Sequence, residues 1–223
     1  PPDKPSYESA TANAVPHLQG SEGERAIDIS KLRKATGAIT YDPGFGNTGA
    51  CSSAITFIDG EKGILRYRGY DVADLAEHCE FIEVAYLLTR GSLPTAEQKA
   101  RYSRLLNQHS MLHEDMREFF SHYPEHSHPM AILSAMAVSL SSFYPELGEN
   151  RHEDLDMTVT RLISKLRTIA AFSYKKSIGE PVVYPRHEYK YCENFLNMMF
   201  SSPVRKEPFT PVMVEAINKL LIL

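Results

Sequence analysis

The sequence predicts a mainly α-helical protein preceded by a small β-rich N-terminal segment with a hairpin. Two observations carry that reading. In the run Ile55–Tyr70, two short apolar stretches flank a charged turn that contains glycine. Asp59-Gly60 is a hairpin signal there, because glycine reaches positive φ without a Cβ clash. Beyond Tyr70 the apolar residues recur every three or four positions, the period of a helix.

Residues 1–24 are polar, with Pro, Ser, Gly and Glu throughout, the composition of a flexible segment. Ala26–Ile29 and Ala38–Tyr41 read as short strands, and Tyr41–Ser53 as a glycine-rich loop. With the hairpin they make up a β-rich module over 25–70, and 71–223 reads as a helical domain.

Asp71 caps a first helix bearing Val72, Leu75 and Ala76. Phe81, Val84, Ala85, Leu87 and Leu88 suit a more buried helix ending near Gly91. Thr95-Ala-Glu-Gln98 is a capping box that opens the next. Met111–Phe120 has helical spacing with weaker limits. Pro129 at a first turn opens Met130–Tyr144, whose apolar face is Ile132, Leu133, Met136, Ala137, Leu140 and Phe143.

A long helix is expected from about Glu153 to Ser177, with Val159, Leu162, Ile163, Leu166, Ile169 and Ala170 on its buried side. Tyr189–Phe200 is a further helix, and Pro211 starts another. Lys219-Leu-Leu-Ile-Leu223 has neither a capping glycine nor a polar fray, so the helical domain is expected to be incomplete at its C-terminus.

The 223 residues are 43% hydrophobic and 23% charged, ordinary for a globular protein, with a net charge of −4. That balance gives no electrostatic reason to expect nucleic acid or a membrane surface as partner. No apolar run approaches the ~20 residues that span a bilayer, and no charged-then-apolar leader opens the chain. Cys51, Cys79 and Cys192 form no CxxC pair, and their odd number speaks against a disulfide framework. A cytoplasmic address is the expectation.

Gly44-Phe-Gly-Asn-Thr-Gly49 satisfies GxGxxG, but a strand and hairpin follow it where a dinucleotide fold needs a helix, so a structural loop is expected. His109 and His113 are spaced i,i+4, and His122, His126 and His128 cluster around Pro124. Neither set has the spacing of a zinc site, so no metal is expected. Ser52, Ser53, Ser134, Ser139 and Ser201 lack a GxSxG elbow, and Cys192 reads as a packed thiol. Arg161 and Lys165 are like charges at i,i+4, which repel by a few tenths of a kcal/mol. A solvated basic face is the plainer reading, and an anion held between them is the functional one.

Several segments together resemble the citrate synthase family. Phe57-Ile-Asp-Gly60 and Arg68-Gly-Tyr70 resemble its N-terminal hairpin, and Tyr41-Asp-Pro-Gly44 the segment before it. His128-Pro-Met130, Ser177-Ile-Gly-Glu-Pro181, Tyr184-Pro-Arg186 and Asn194-Phe-Leu-Asn-Met-Met199 resemble later landmarks in their usual order. The resemblance covers about 26–223 and is closest to the bacterial branch, often hexameric and inhibited by NADH.

It implies citrate synthase large-domain helices and an acyltransferase of the tricarboxylic acid cycle. The reaction joins acetyl-CoA to oxaloacetate, with acetyl-CoA a substrate and no cofactor required. In the family a histidine and an aspartate move the acetyl-CoA proton, a second histidine polarises the oxaloacetate carbonyl, and arginines hold its carboxylates. None of these matches a residue here. The family's catalytic segment is expected beyond Leu223, so the 223 residues alone are expected to be inactive.

A homodimer or homohexamer is implied, and NADH as an allosteric inhibitor. The nucleotide site of that branch resembles His109, Ser110, Met111, Tyr144, Arg161 and Lys165, although Gln108 stands where the branch has arginine and Val204 where it has cysteine. Two other functions stay open. One is 2-methylcitrate synthase, which uses propionyl-CoA, and the other a truncated, non-catalytic assembly or regulatory subunit.

Overall fold

A computed structural model describes residues 16–144, 155–205 and 208–223. Residues 1–15 of the expected flexible segment and the expected start of the long helix at Glu153 lie outside the described residues. The chain divides into two compact units, Pro1–Ser53 and Ala54–Leu223. The hairpin lies in the second unit, with the helices.

In the first unit β1 (His17–Gln19) pairs antiparallel with β2 (Arg25–Ile27), His17 opposite Ile27 and Gln19 opposite Arg25. Its turn closes through Gly20 N–H donating to Glu24 O at 2.8 Å. The strand within the polar 1–24 stretch was not foreseen. A short helix, α1 (Leu32–Thr36), ends at Gly37 in the left-handed region. The strand expected at Ala38–Tyr41 does not form. Ile39 and Tyr41 are exposed, and β-propensity without a partner strand or a buried face leaves coil. Asp42 then accepts from Asn47 N–H at 3.0 Å and from the Thr48 hydroxyl, which closes the Gly44–Gly49 stretch as an exposed loop.

The second unit opens with a three-stranded antiparallel sheet of β3 (Thr56–Asp59), β4 (Ile64–Tyr67) and β5 (Tyr70–Asp71). The β3–β4 connection differs from the expected tight Asp59-Gly60 turn. Asp59 pairs with Ile64, so four residues bridge the strands, and Gly63 rather than Gly60 has positive φ. Asp59 braces this loop by accepting from Lys62 N–H at 3.0 Å.

The two-residue turn lies one strand later. Tyr67 pairs with Tyr70, and Arg68 and Gly69 sit at φ 50° and 89°, the signs a type I′ turn demands. A positive φ on arginine is costly. Its guanidinium makes long-range contacts that hold it, donating to Leu88 O at 2.8 Å and Ala54 O at 3.3 Å.

Helices follow: α2 (Val72–His78), α3 (Phe81–Arg90), α4 (Ala96–Gln108), α5 (Glu114–Ser121), α6 (Pro129–Phe143), α7 (Leu155–Ser177), α8 (Tyr191–Phe200) and α9 (Pro211–Ile222). Asp71 accepts from Ala73 N–H at 2.8 Å, and Thr95 and Gln98 close the capping box read from the sequence. Met111–Phe120 is not one helix. His109 closes α4, and α5 restarts at Glu114 behind His113.

Long α7 packs against α4, α5, α6 and α8, so it has several buried sides instead of one stripe. Ile169 and Phe172 join Met116, Phe120, Ile132, Met136 and Leu140 in the largest apolar cluster. Leu166, expected inside, is on the exposed side, whereas Ser164, Lys165, Arg167, Thr168 and Lys175 are buried. Two further clusters lie around Ile82, Tyr86, Tyr102 and Leu106, and around Leu75, Val84, Leu87 and Ile222.

Candidate functional site

Three of the polar residues buried on α7, Ser164, Lys165 and Thr168, converge on the C-terminal end of α4. A helix leaves its last four carbonyls without intrahelical partners, and burial makes each of them costly unless a donor reaches it. Here α7 supplies the donors. The Ser164 hydroxyl donates to Leu106 O, and Thr168 Oγ1 donates to Ser110 O at 2.7 Å. Lys165 Nζ donates to His109 O at 3.2 Å and Met111 O at 2.6 Å. The Ser110 hydroxyl closes back on Asn107 O at 2.6 Å.

Lys165 is only 4% exposed, and its ammonium also lies 4.1 Å from the centre of the Tyr144 ring, the C-cap of α6. A cation at a helix C-terminus gains from the macrodipole, and an aromatic face adds to that in a desolvated setting. Lys165 is thus not on a solvated basic face in this arrangement. Its carbonyl contacts hold the 109–113 segment.

The six residues expected at a nucleotide site are drawn together on these terms. His109, Ser110, Met111, Tyr144 and Lys165 connect through the contacts above, and the charge of Arg161 reaches His109. Burial, Arg161 and Lys165 together hold the His109 imidazole below its usual range. Ser110 is buried with its hydroxyl turned inward, while Met111 is partly open to solvent. Val204 is 95% exposed.

The other candidates separate. His109 and His113 do not share a helix face, since each sits at the end of a different helix. Among the described residues no group of three or more His, Cys, Asp and Glu is arranged to hold a metal ion. The Ser134 and Ser139 hydroxyls bond carbonyls of their own helix, and Ser201 donates to Asn197 Oδ1 at 3.2 Å. Burial pushes the Cys192 thiol up to about 11, which keeps it protonated and unreactive near neutral pH.

A crevice of about 360 Å³ opens among α3, α8 and α9, lined by Phe81, Ile82, Tyr191, Phe209 and Val214. Glu80 and Lys190 pair on its rim at 2.9 Å. It shares no lining residue with the cluster around Lys165.

Sequence reasoning missed the buried donors Ser164 and Thr168 and a second buried cation, Arg167. The Arg167 guanidinium donates to Tyr191 O at 3.1 Å and lies 4.3 Å from the Tyr191 ring centre, and burial pulls its pKa down. No local signal marks these residues. Their partners are decided by how distant helices pack.

The motif segments noted in the sequence have structural work that explains their form. Asn194, fully buried on α8, donates to Arg186 O at 2.8 Å and accepts from Arg186 N–H at 3.0 Å. That reciprocal pair fixes Tyr184-Pro-Arg186 against Asn194-Phe-Leu. His128-Pro129 begins α6, and Arg68-Gly69 forms the tight turn before α2.

Comparison with known proteins agrees with that set of landmarks. The family model for the citrate synthase C-terminal domain matches residues 44–223. Citrate synthase from Pyrobaculum aerophilum is similar at 28% identity and a TM-score of 0.70, over 98% of this chain and 51% of that one. Citrate synthase from Thermotoga maritima MSB8 is similar at 28% identity and a TM-score of 0.67, over 82% of this chain and 46% of that one.

The Thermoplasma acidophilum enzyme, solved as a ternary complex with carboxymethyl coenzyme A and oxaloacetate, gives 26% identity and a TM-score of 0.73. That match covers 82% of this chain and 47% of that one. The chain thus spans about half the length of these structures. With the family model matched from Gly44 to Leu223 and the helices of Ala54–Leu223 in the same architecture, the chain belongs to the citrate synthase family.

Proposed function

We propose that the complete protein is a citrate synthase, condensing acetyl-CoA with oxaloacetate and water to give citrate and CoA. The observation that carries this is the similarity to the Thermoplasma enzyme, whose structure holds a coenzyme A analogue and oxaloacetate together. Within that reading residues 1–223 contribute frame rather than chemistry. Their buried and half-buried polar groups close helix ends and loops, as Lys165, Asn194 and Arg68 do.

The test is release of free CoA thiol by the complete polypeptide with oxaloacetate, offering acetyl-CoA and propionyl-CoA in competition. Preference for acetyl-CoA supports the proposal, and preference for propionyl-CoA assigns 2-methylcitrate synthesis instead. No thiol release with either places the protein among non-catalytic subunits.

The cluster at the α4–α5 junction favours a second reading, regulation by NADH. In it, Arg161 and His109 face the phosphates, and Lys165 shapes the segment that carries His109 and Met111. Protonation of His109 is easier beside an anion, so binding takes up a proton and strengthens as pH falls toward the imidazole range. Titration of the complete protein with NADH is expected to weaken roughly tenfold in Arg161→Ala, the loss of one charge-assisted contact. Equal affinity in the variant rejects the assignment.

A further inference from the structure

Helices α5 and α6 begin in the same uncommon way. Ser, Thr, Asp and Asn are the favoured N-caps, because their short side chains accept from a first-turn amide. Here both N-caps are histidines. His113 Nδ1 accepts from Asp115 N–H at 3.2 Å, and His128 Nδ1 accepts from Met130 N–H at 3.2 Å.

The other early amides of α6 do not need the ring. Pro129 has no N–H, and the Ala131 and Ile132 amides donate to His128 O at 2.9 and 3.4 Å. Met130 N–H thus rests on one imidazole lone pair. That lone pair exists only while the ring is neutral with its proton on Nε2. A protonated ring turns an N–H toward the Met130 N–H and brings positive charge to the positive end of the helix.

We propose that His113 and His128 form an acid-sensitive latch, which holds the first turns of α5 and α6 when neutral and releases them when protonated. The surrounding charges set how strongly each half responds. Asp115 Oδ2 lies 3.7 Å from His113 Nδ1, Glu114 adds a second acidic group to that first turn, and the Phe143 ring of α6 lies 5.4 Å from the His113 ring. Glu114 is itself engaged by Arg117 at 2.6 Å and by the Tyr184 hydroxyl at 3.3 Å. The carboxylates compensate protonated His113 in part.

His128 differs. The first turn of α6 carries no acidic residue, and among the described residues His128 makes no ion pair. It is the sharper half of the latch. His122, at the other end of α5, keeps its contact on protonation, since its Nδ1 donates to Glu118 O at 2.8 Å at a helix C-terminus. Acid therefore acts on the N-terminal ends of the two helices. Both feed the largest apolar cluster, through Met116 and Phe120 of α5 and Ile132, Met136 and Leu140 of α6.

Amide hydrogen exchange on the complete protein tests the latch, comparing protection factors at about pH 7.5 and about pH 5.5. In the wild type, protection over Met130–Leu133 is expected to fall roughly fivefold at the lower pH, the equilibrium worth of one N-cap. Asparagine caps at both pH values, so His128→Asn should hold its protection throughout. His128→Ala should show the lowered protection at both. At the start of α5 the wild type should lose less, and His113→Asn should again be flat. Equal acid sensitivity in His128→Asn and wild type, or no acid sensitivity in the wild type, overturns the proposal.

Discussion

At Lys165 two demands meet in one ammonium group, a buried charge that needs partners and a helix end that needs donors. Both are met by His109 O and Met111 O, with the Tyr144 ring beneath. Lys165→Met keeps the aliphatic stem and removes the donor, which leaves two carbonyls without it. Relief of the desolvated charge offsets part of that cost, so a net destabilisation of about 1–3 kcal/mol is expected by urea unfolding. The same variant removes one of the cations that disfavour protonation of His109. The sign follows from the depressed imidazole. Its contribution is complete above the unfolded value of about 6.5 and is lost as pH falls toward the folded one, so Lys165→Met should flatten that acid loss. Unchanged urea midpoints across pH would remove Lys165 as a clamp.

Between elements, local chemistry proved legible and long-range chemistry did not. Thr95 with Gln98, Asp71 before α2 and Pro129 at the start of α6 each act within four residues, and each forms as read. The failures share a cause. Ala38–Tyr41 has strand composition but no partner strand among the described residues, and Met111–Phe120 has helical spacing broken by a histidine cap that spacing does not reveal. Asn218 of α9 is the clearest long-range case. Its Oδ1 accepts from Phe81 N–H at 2.6 Å and its Nδ2 donates to Cys79 O at 3.0 Å, so the start of α3 is closed from the far end of the chain. Nothing around Asn218 announces that role. The buried Ser164, Lys165 and Thr168 of α7 are alike, since an amphipathic stripe describes a helix with one buried side and α7 has several neighbours. Beyond the i,i+4 spacing of Arg161 and Lys165, the candidate cluster was legible through its resemblance to a family site, and the inward turn of Ser110 and Lys165 came from packing.

For the molecule as a whole, the exposed apolar surface decides the last expectation. Val212, Leu220 and Leu223 of the α9 segment are 74%, 68% and 70% exposed, and Met130 and Val138 of α6 are 56% and 75% exposed. Single exposed apolar residues are ordinary, but groups repeated along helix faces mark surfaces that another element covers. The chain spans about half the length of the compared citrate synthases. Residues 1–223 prepared alone are therefore predicted to self-associate and to release no CoA thiol from acetyl-CoA and oxaloacetate. The apparent mass from light scattering should rise with protein concentration, and Val138→Ser with Leu220→Lys should lower it without restoring activity. The two substitutions remove apolar area worth roughly 1.5–3 kcal/mol per fully buried side chain, enough to shift association by more than tenfold if those faces drive it. A monomeric, cooperatively folding 223-residue chain with thiol-releasing activity would contradict both the exposed-face argument and the assignment of this segment to the frame of the enzyme.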